Sequence, residues 1–276
     1  MDRSDAVRQL ANQYVATGAV AAVVLAGSLG RGRDDVFSDV ELDVYWARPP
    51  TDDQRREPAA ALGGEITRLW PYDADDAEWS EEVRVLGVDV TVSGFHADEI
   101  DRWIASPADP SGPNLLRQLR ISAILEGTVL YGEPVVAAWR RAAAYPRSLA
   151  VATASCYLDP GRLGRWRLWP ALVRRDDLVM LHRAVSDLAE VLLGVLCALN
   201  RVHVEHPSFK WAGHLTDRFD RAPADFGARL FAGLSTDPRG AAPDLHALLA
   251  ETVELVAADL PEVDVARIED LLRHRR

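Results

Sequence analysis

Three acidic residues alternate with apolar residues in one short stretch of the chain. Asp39, Glu41 and Asp43 are separated by a valine and a leucine, and alternation with a period of two places all three carboxylates on one face of a β-strand. Adjacent anions repel one another unless a cation lies among them. Mg²⁺ suits such a place, because it prefers oxygen ligands and is commonly held by one or two carboxylates together with substrate phosphates. The stretch therefore predicts a divalent metal bound together with a phosphate-bearing substrate.

A glycine-rich, basic turn precedes these carboxylates. An apolar run ends in Gly27 and Ser28, and Gly30, Arg31 and Arg33 follow. Backbone N–H groups of such a turn can bind phosphate oxygens, and glycine lets the backbone approach a ligand closely. The two arginines are candidate phosphate partners, with a solvated charged turn as the alternative.

The elements that must position these residues follow from periodicity and from turn residues. In the first half we predict helices at 5–17, 51–70, 97–105 and 114–126, strands at 20–26, 40–46, 83–92 and 128–131, a turn or short helix at 30–34, and a bulge at Gly87. Beyond about residue 133 the patterns are helical, at 176–200, 210–220, 224–234, 244–257 and 263–273. We therefore expect an α/β domain over 1–145, with a small mixed sheet and flanking helices, and an all-α helical bundle over 146–276.

The composition narrows the class of protein. The 276 residues carry a net charge of −11, whereas a protein that binds nucleic acid usually has a basic face; an acidic surface instead attracts cationic small molecules. No run approaches the roughly 20 apolar residues of a membrane helix, and the N-terminus lacks the pattern of a secretory signal. The two cysteines, Cys156 and Cys197, match no metal-binding spacing. We expect a cytoplasmic protein with neither a membrane nor a nucleic acid as partner.

The turn and the carboxylates together resemble a known signature. Gly27-Ser28, a spacer of ten residues, and Asp39-Val-Glu41-Leu preceded by Ser38 resemble the nucleotidyltransferase superfamily with the DNA polymerase β-like catalytic fold. The local form is most similar to the antibiotic-modifying members, which act on aminoglycosides and lincosamides. The pattern Glu41-Leu-Asp43 would satisfy the same signature; Ser38 favours Asp39 as the first ligand, because the family usually has Ser-Asp there. Glutamate in place of the commoner second aspartate is a departure from the family.

The resemblance implies a set of functional residues. Asp39 and Glu41 would hold one or two Mg²⁺ ions, and Gly27, Ser28, Gly30 and Arg31 would bind the phosphates of a nucleoside triphosphate, for which ATP is the first choice. The family adds a third carboxylate from a neighbouring strand, and Asp89 is the candidate here, as metal ligand, general base or both. The alternative for Asp89 is a solvent-facing residue on a half-buried strand.

The C-terminal half carries a weaker resemblance to the helical domains of aminoglycoside nucleotidyltransferases, which cover the nucleotide and line the acceptor pocket. Lys210 lies in a segment similar to an Asn…Pro…Lys-Trp turn whose lysine contacts the triphosphate. Ahead of the longest helix, aromatic and acidic side chains are candidates for binding a cationic acceptor: Trp166, Trp169, Asp176 and Asp177. The alternative is structural, with the tryptophans in the core and an aspartate capping the helix.

The predicted reaction transfers a nucleoside monophosphate to a hydroxyl of a small molecule and releases pyrophosphate. An aminoglycoside- or lincosamide-type antibiotic is the acceptor that the resemblance implies. Two alternatives stay open: a toxin–antitoxin type of nucleotidyltransferase that modifies a protein or a tRNA, and a non-catalytic module that binds nucleotide.

Overall fold

The computed structural model describes residues 3–107 and 113–273. Contacts divide the chain into two compact units, Met1–Ser106 with Leu116–Ala144, and Pro107–Leu115 with Tyr145–Arg276. The first unit carries a six-stranded sheet, and every regular element described for the second is helical. The predicted fold class, a mixed sheet with flanking helices followed by an all-α region, is confirmed. The division after residue 145 into separate folding domains stays a proposal.

The elements of the first half alternate between strands and helices. In chain order they are α1 (Arg3–Ala16), β1 (Val20–Leu25), α2 (Gly27–Gly30), β2 (Glu41–Trp46), α3 (Asp52–Ala60), β3 (Glu65–Asp73), β4 (Glu78–Val85), β5 (Val88–His96), α4 (Ala97–Ala105), α5 (Leu115–Glu126), β6 (Thr128–Tyr131) and α6 (Glu133–Ala142).

The sheet has the strand order β3-β4-β5-β2-β1-β6. Strands β2 and β5 are parallel, and the other neighbouring pairs are antiparallel. Because paired residues point to the same side, the register places two rows of side chains on the face that carries the acidic residues, which we call the front face. The first row is Glu41, Thr91, Glu82 and Arg68, and the second row is Asp43, Ser93, Ser80 and Trp70.

Apolar side chains cover the back face of the sheet and only part of its front face. On the back face Leu42, Val44 and Val92 pack in one buried cluster with residues of α1 and α3. On the front face Tyr45 and Phe95 pack in a second cluster with residues of α4, α5 and α6. The front cluster includes none of the first-row or second-row residues, so these two rows form the polar part of that face.

Two strands of the sheet were not predicted. The helix expected over 51–70 ends at Ala60. Gly63, in the turn that follows, has a positive φ of 66°, and the chain then enters β3. The strand expected over 83–92 is a hairpin: β4 and β5 are joined by Leu86 and Gly87, which both have positive φ. Gly87 is therefore a turn residue and not the predicted bulge, because its φ of 80° reverses the chain.

The second unit is built around one long apolar helix. Its elements are α7 (Arg147–Tyr157), a 3₁₀ turn (Trp166–Leu168), α8 (Trp169–Arg174), α9 (Leu178–Leu199), α10 (Ala212–Thr216), α11 (Phe226–Ser235), α12 (Pro238–Asp259) and α13 (Ala266–Arg273). Helix α9 packs against α7, α8, α11 and α12. Within the described ranges, no helix has the length and apolar character needed to cross a bilayer.

Candidate active site

The turn after β1 lies directly on the first carboxylate of β2. Gly27 has a φ of +62°, and a Cβ atom built there would lie 2.9 Å from Cδ of Glu41 and 3.1 Å from each of its carboxylate oxygens. A Cβ at Gly30 would lie 2.0 Å from the carbonyl oxygen of Leu25. A side chain at Gly30 is excluded by the backbone, and one at Gly27 would be strained by the positive φ and would displace Glu41. Ser28, between the two glycines, is buried. Gly27 and Glu41 are therefore in contact, and that they belong to one functional site stays a prediction.

Asp43 is the most deeply buried carboxylate of the front face. It is 2% exposed, and its Oδ2 accepts a hydrogen bond from the Tyr45 hydroxyl at 3.3 Å. Burial raises the pKa of Asp43 to about 7; Arg120 opposes this shift, and the negative charges of Glu41 and Glu78 add to it. An anion that is disfavoured mainly by burial is stabilised by a positive charge beside it, as Arg120 already does here.

A polar network continues from Asp43 across β5 to β4. Ser93 lies opposite Asp43 in the register and donates to Oε1 of Glu78 at 2.8 Å. The other carboxylate oxygen of Glu78 is paired with the Arg120 guanidinium, which lies 4.8 Å from the centre of the Phe95 ring. Ser93, Glu78 and Arg120 were missed in the sequence. The alternation of Asp89, Thr91 and Ser93 with valines is the one signal that indicates this polar face.

Asp39 and Asp89 line one cleft at the open end of the front face. The cleft has a volume of about 870 Å³, and Thr91 and Glu82 of the first row also line it. Asp89 is hydrogen-bonded to Arg84 at 2.7 Å, and this bond holds the pKa of Asp89 below its usual range. The structure thus brings the predicted third carboxylate to the same cleft as Asp39, as an ion-paired and exposed residue. Arg84 donates to both carboxylate oxygens of Asp89, at 2.7 and 3.2 Å, and the role of Asp89 as metal ligand or general base stays a prediction.

Arg31 links the turn at Gly27 to helix α5. Its Nε lies 3.1 Å from a carboxylate oxygen of Glu126 on α5, one terminal nitrogen donates to Ser122 at 3.1 Å, and the other donates to the carbonyl of Gly27 at 3.4 Å. Arg33 lies 3.8 Å from the same Glu126. All three nitrogens of the Arg31 guanidinium therefore serve to fix the turn on α5, a positioning role where the sequence had indicated a phosphate contact.

The donors of the site suit a hard divalent cation. In 3–107 and 113–273, no group of three or more histidine, cysteine, aspartate or glutamate side chains is arranged to hold a metal on its own. Mg²⁺ is usually held by only one or two carboxylates and completes its shell with water and substrate phosphates. Asp39, Glu41 and Asp89 are oxygen donors of the kind that Mg²⁺ prefers, and Asp39 and Asp89 line one cleft; their role as metal ligands stays a prediction.

A second cavity on the front face lies at the edge of the sheet. Its volume is about 450 Å³, within the roughly 300–1,000 Å³ range of small-molecule sites. Its walls combine two half-exposed aromatic rings, three carboxylates and one guanidinium: Trp70, Tyr72, Asp73, Asp76, Glu78 and Arg120. Trp70 closes the second row, three strands from Asp43, which is about 14 Å at the usual spacing of strands.

The candidate residues of the second unit have mostly structural surroundings. Trp166 is fully buried and stacks on Trp169 with ring centres 6.0 Å apart. Asp177 caps α9 by accepting from the N–H of Met180, and Asp176 is 2.6 Å from Arg239. A fully buried ring cannot contact a dissolved acceptor, so Trp166 takes the structural alternative that the sequence had left open. Asp177 caps the helix but is exposed, and its role in binding an acceptor stays a prediction.

Lys210 lies on a strained turn of the second unit. It is exposed, and both of its neighbours, Phe209 and Trp211, have positive φ values of 50° and 62°. Such values are unusual for large side chains and cluster at functional positions. The role of Lys210 as a phosphate contact stays a prediction.

Comparison with known proteins was made for sequence families, curated sequences and solved structures. No family model and no curated protein sequence matches the chain. Among solved structures, the chain is similar to a nucleotidyltransferase-like protein from Exiguobacterium sibiricum 255-15, with a TM-score of 0.42 and 14% identity, covering 100% of this chain and 81% of that one. A likeness of this degree carries no conclusion about activity, and the case for function rests on the residues of the site.

Proposed function

We propose that the chain is a Mg²⁺-dependent nucleotidyltransferase that moves a nucleoside monophosphate from a nucleoside triphosphate, with ATP as first choice, to a hydroxyl group of a small molecule. The observation that carries the proposal is the contact between the Gly27 turn and Glu41, beside Asp43 on the same strand face. A phosphate-binding turn packed on carboxylates suits a substrate that brings both a phosphate chain and a metal ion.

In the proposed reaction an acceptor hydroxyl attacks the α-phosphorus, the bond to the β-phosphate breaks, and pyrophosphate leaves. A bound Mg²⁺ would neutralise charge on the phosphate oxygens. Asp39 and Glu41 would hold it, and the Ser28 turn, fixed on α5 by Arg31, would position the phosphates. The chain contributes mainly orientation and electrostatic stabilisation, which dominate catalysis of this kind.

The edge cavity is our candidate for the acceptor site. Two aromatic faces and the carboxylates of Asp73 and Asp76 favour a cationic ligand, and Glu78 carries its own partner in Arg120. An aminoglycoside- or lincosamide-type antibiotic has the amino groups and hydroxyls that such walls can bind. The second row then leads from the acceptor cavity to Asp43.

A screen for pyrophosphate release tests the proposal. The four nucleoside triphosphates are paired with aminoglycosides, lincosamides and simple alcohols, in the presence and absence of Mg²⁺. We expect release that depends on both Mg²⁺ and acceptor and that is lost in Asp39→Asn and in Glu41→Gln. Asp53→Asn, an exposed aspartate of α3, is the matched control and should keep full activity.

Three outcomes would contradict the proposal in different ways. Full turnover by Asp39→Asn would show that the metal site is assigned wrongly. Transfer of labelled nucleotide to a protein or tRNA in a lysate, with no small-molecule product, would show that the acceptor is a macromolecule and not a small molecule. Tight binding of ATP without turnover across the whole panel would indicate a nucleotide-binding module.

A further inference from the structure

Phe37 is the most exposed large apolar side chain of the described residues. It is 91% exposed, and its neighbour Val36 is 78% exposed. An aromatic ring in water forgoes the free energy that burial would provide. Such a ring can mark a binding site when the backbone keeps it from folding back onto the protein.

The turn that carries Phe37 is braced from two sides. Asp35 Oδ1 accepts from the N–H of Phe37 at 2.9 Å and from the hydroxyl of Ser38 at 3.1 Å. The guanidinium of Arg3, on α1, donates to the carbonyl oxygens of Asp35, Val36 and Ser38 at 3.0–3.3 Å. The backbone on both sides of the ring is therefore fixed, and the ring is presented at a defined position.

That position is the lining of the 870 Å³ cleft that also contains Asp39. One residue, Ser38, separates Phe37 from Asp39, so their Cα atoms lie at most about 7 Å apart. Three arginines, Arg3, Arg68 and Arg84, share the lining. The cleft thus joins a flat apolar surface, these three arginines and three carboxylates, those of Asp39, Glu82 and Asp89. Arg68 and Arg84 are paired with Glu82 and Asp89.

We propose that Phe37 is a stacking platform for the nucleobase of the nucleotide substrate. The inference rests on the proposed function, which places a metal-bound phosphate at Asp39 and hence a base one sugar away. The proposed acceptors are aliphatic, so the nucleobase is the planar ring that the reaction itself supplies. Stacking on an aromatic side chain tolerates any base, because every base has a π face.

Binding measurements without turnover test this role. The probe is an ATP analogue with a methylene group between the α- and β-phosphorus atoms, titrated with Mg²⁺ by calorimetry. Loss of one base–aromatic stack corresponds to a Kd increase of about 5- to 150-fold, which we expect for Phe37→Ala. Phe37→Tyr keeps a ring and should bind as the wild type does. Val36→Ala, which removes an exposed apolar group without a ring, is the matched control and should bind unchanged.

Inorganic tripolyphosphate separates stacking from damage to the turn. Because it has no ring, its affinity should be equal in the wild type and in Phe37→Ala; a parallel loss would show that the substitution disturbs the turn and would overturn the inference. Wild-type affinity of Phe37→Ala for the ATP analogue overturns the inference and leaves the proposed function standing. Failure of the wild type to bind the analogue at all overturns both.

Discussion

A buried ion pair behind the sheet supports the strand that carries the edge cavity. Arg55 of α3 and Glu81 of β4 are each 1% exposed, with a terminal nitrogen of Arg55 2.5 Å and its Nε 3.0 Å from Oε2 of Glu81. The same guanidinium donates to the carbonyls of Trp70 at 2.8 Å and of Ser80 at 2.9 Å, and the Tyr14 hydroxyl donates to Oε1 of Glu81 at 3.2 Å.

Replacing Arg55 by methionine should destabilise the first unit strongly. The change leaves a buried carboxylate without its cation and two carbonyls without a donor. Removal of one partner of a buried pair costs about 3–5 kcal/mol. The double variant Arg55→Met with Glu81→Leu removes both charges, and apolar replacement of a whole pair is often neutral. Its free energy of unfolding should therefore lie above that of Arg55→Met but below that of the wild type, because the two carbonyls and the Tyr14 hydroxyl still lose a partner.

The loss in Arg55→Met should also depend on pH. Burial already raises the pKa of Glu81, and Arg55 opposes that shift; without Arg55 the pKa of the folded state rises further. The folded chain then keeps a proton on Glu81 at pH values where the unfolded chain, with a pKa of about 4.3, has lost it. Stability therefore falls as the pH rises above that value, and the deficit should be smaller at pH 5 than at pH 8.

Urea unfolding at the two pH values measures these effects, and hydrogen exchange of the β4 amides reports on the first unit separately. Glu82→Gln, a half-exposed neighbour on the front face, serves as control and should change stability by well under 1 kcal/mol. A cost below about 1 kcal/mol for Arg55→Met, or a double variant whose cost is the sum of the single ones, would refute the argument that the buried charge dominates.

Three further predictions concern the site and the cysteines. Gly27→Ala should lower turnover by about 100-fold, since its Cβ would lie 2.9 Å from Cδ of Glu41 and small displacements of reacting groups cost about that much. It should also destabilise the first unit by about 1–2 kcal/mol, because the φ of 62° is unfavourable for a residue with a Cβ atom. An unchanged kcat would show that the turn takes no part in the reaction. Trp70→Ala should raise the KM for the acceptor several-fold and leave the KM for the nucleotide unchanged, as steady-state kinetics with each substrate varied will show. Burial raises the pKa of the Cys197 thiol well above its usual range, so this thiol should not react in the native protein. A thiol reagent at pH 8 should label only the partly exposed Cys156 in the native protein and both cysteines in urea. Mass spectrometry counts the labels.

Much of the catalytic half was predictable, because its signals are local. The run that forms β1, the glycines that follow it and the alternation that forms β2 lie within a single stretch, and the structure places them together. The strand β4 was missed for an identifiable reason. Glu81 occupies a core position, so its charge breaks the alternation that would have revealed the strand, and its partner Arg55 lies on another element.

The rest of the site depends on register, which a single sequence does not display. Ser93, Glu78 and Trp70 come together only because β5, β4 and β3 pair in one particular alignment. In the second unit the sequence instead suggested a binding residue that the fold buries. Trp166 has the residue type of a binding site, but it is enclosed by the core.

The position of Trp70 and Tyr72 on β3 has a consequence for how such a protein can diversify. Strand β3 is an edge strand of the sheet and pairs with β4, whereas Glu41 and Asp43 lie on the interior strand β2 and Gly27 contacts it from the turn after β1. Substitutions on β3 can reshape the edge cavity while disturbing a single ladder of hydrogen bonds. A chain built in this way can change the molecule that it accepts without altering the residues proposed to activate the nucleotide.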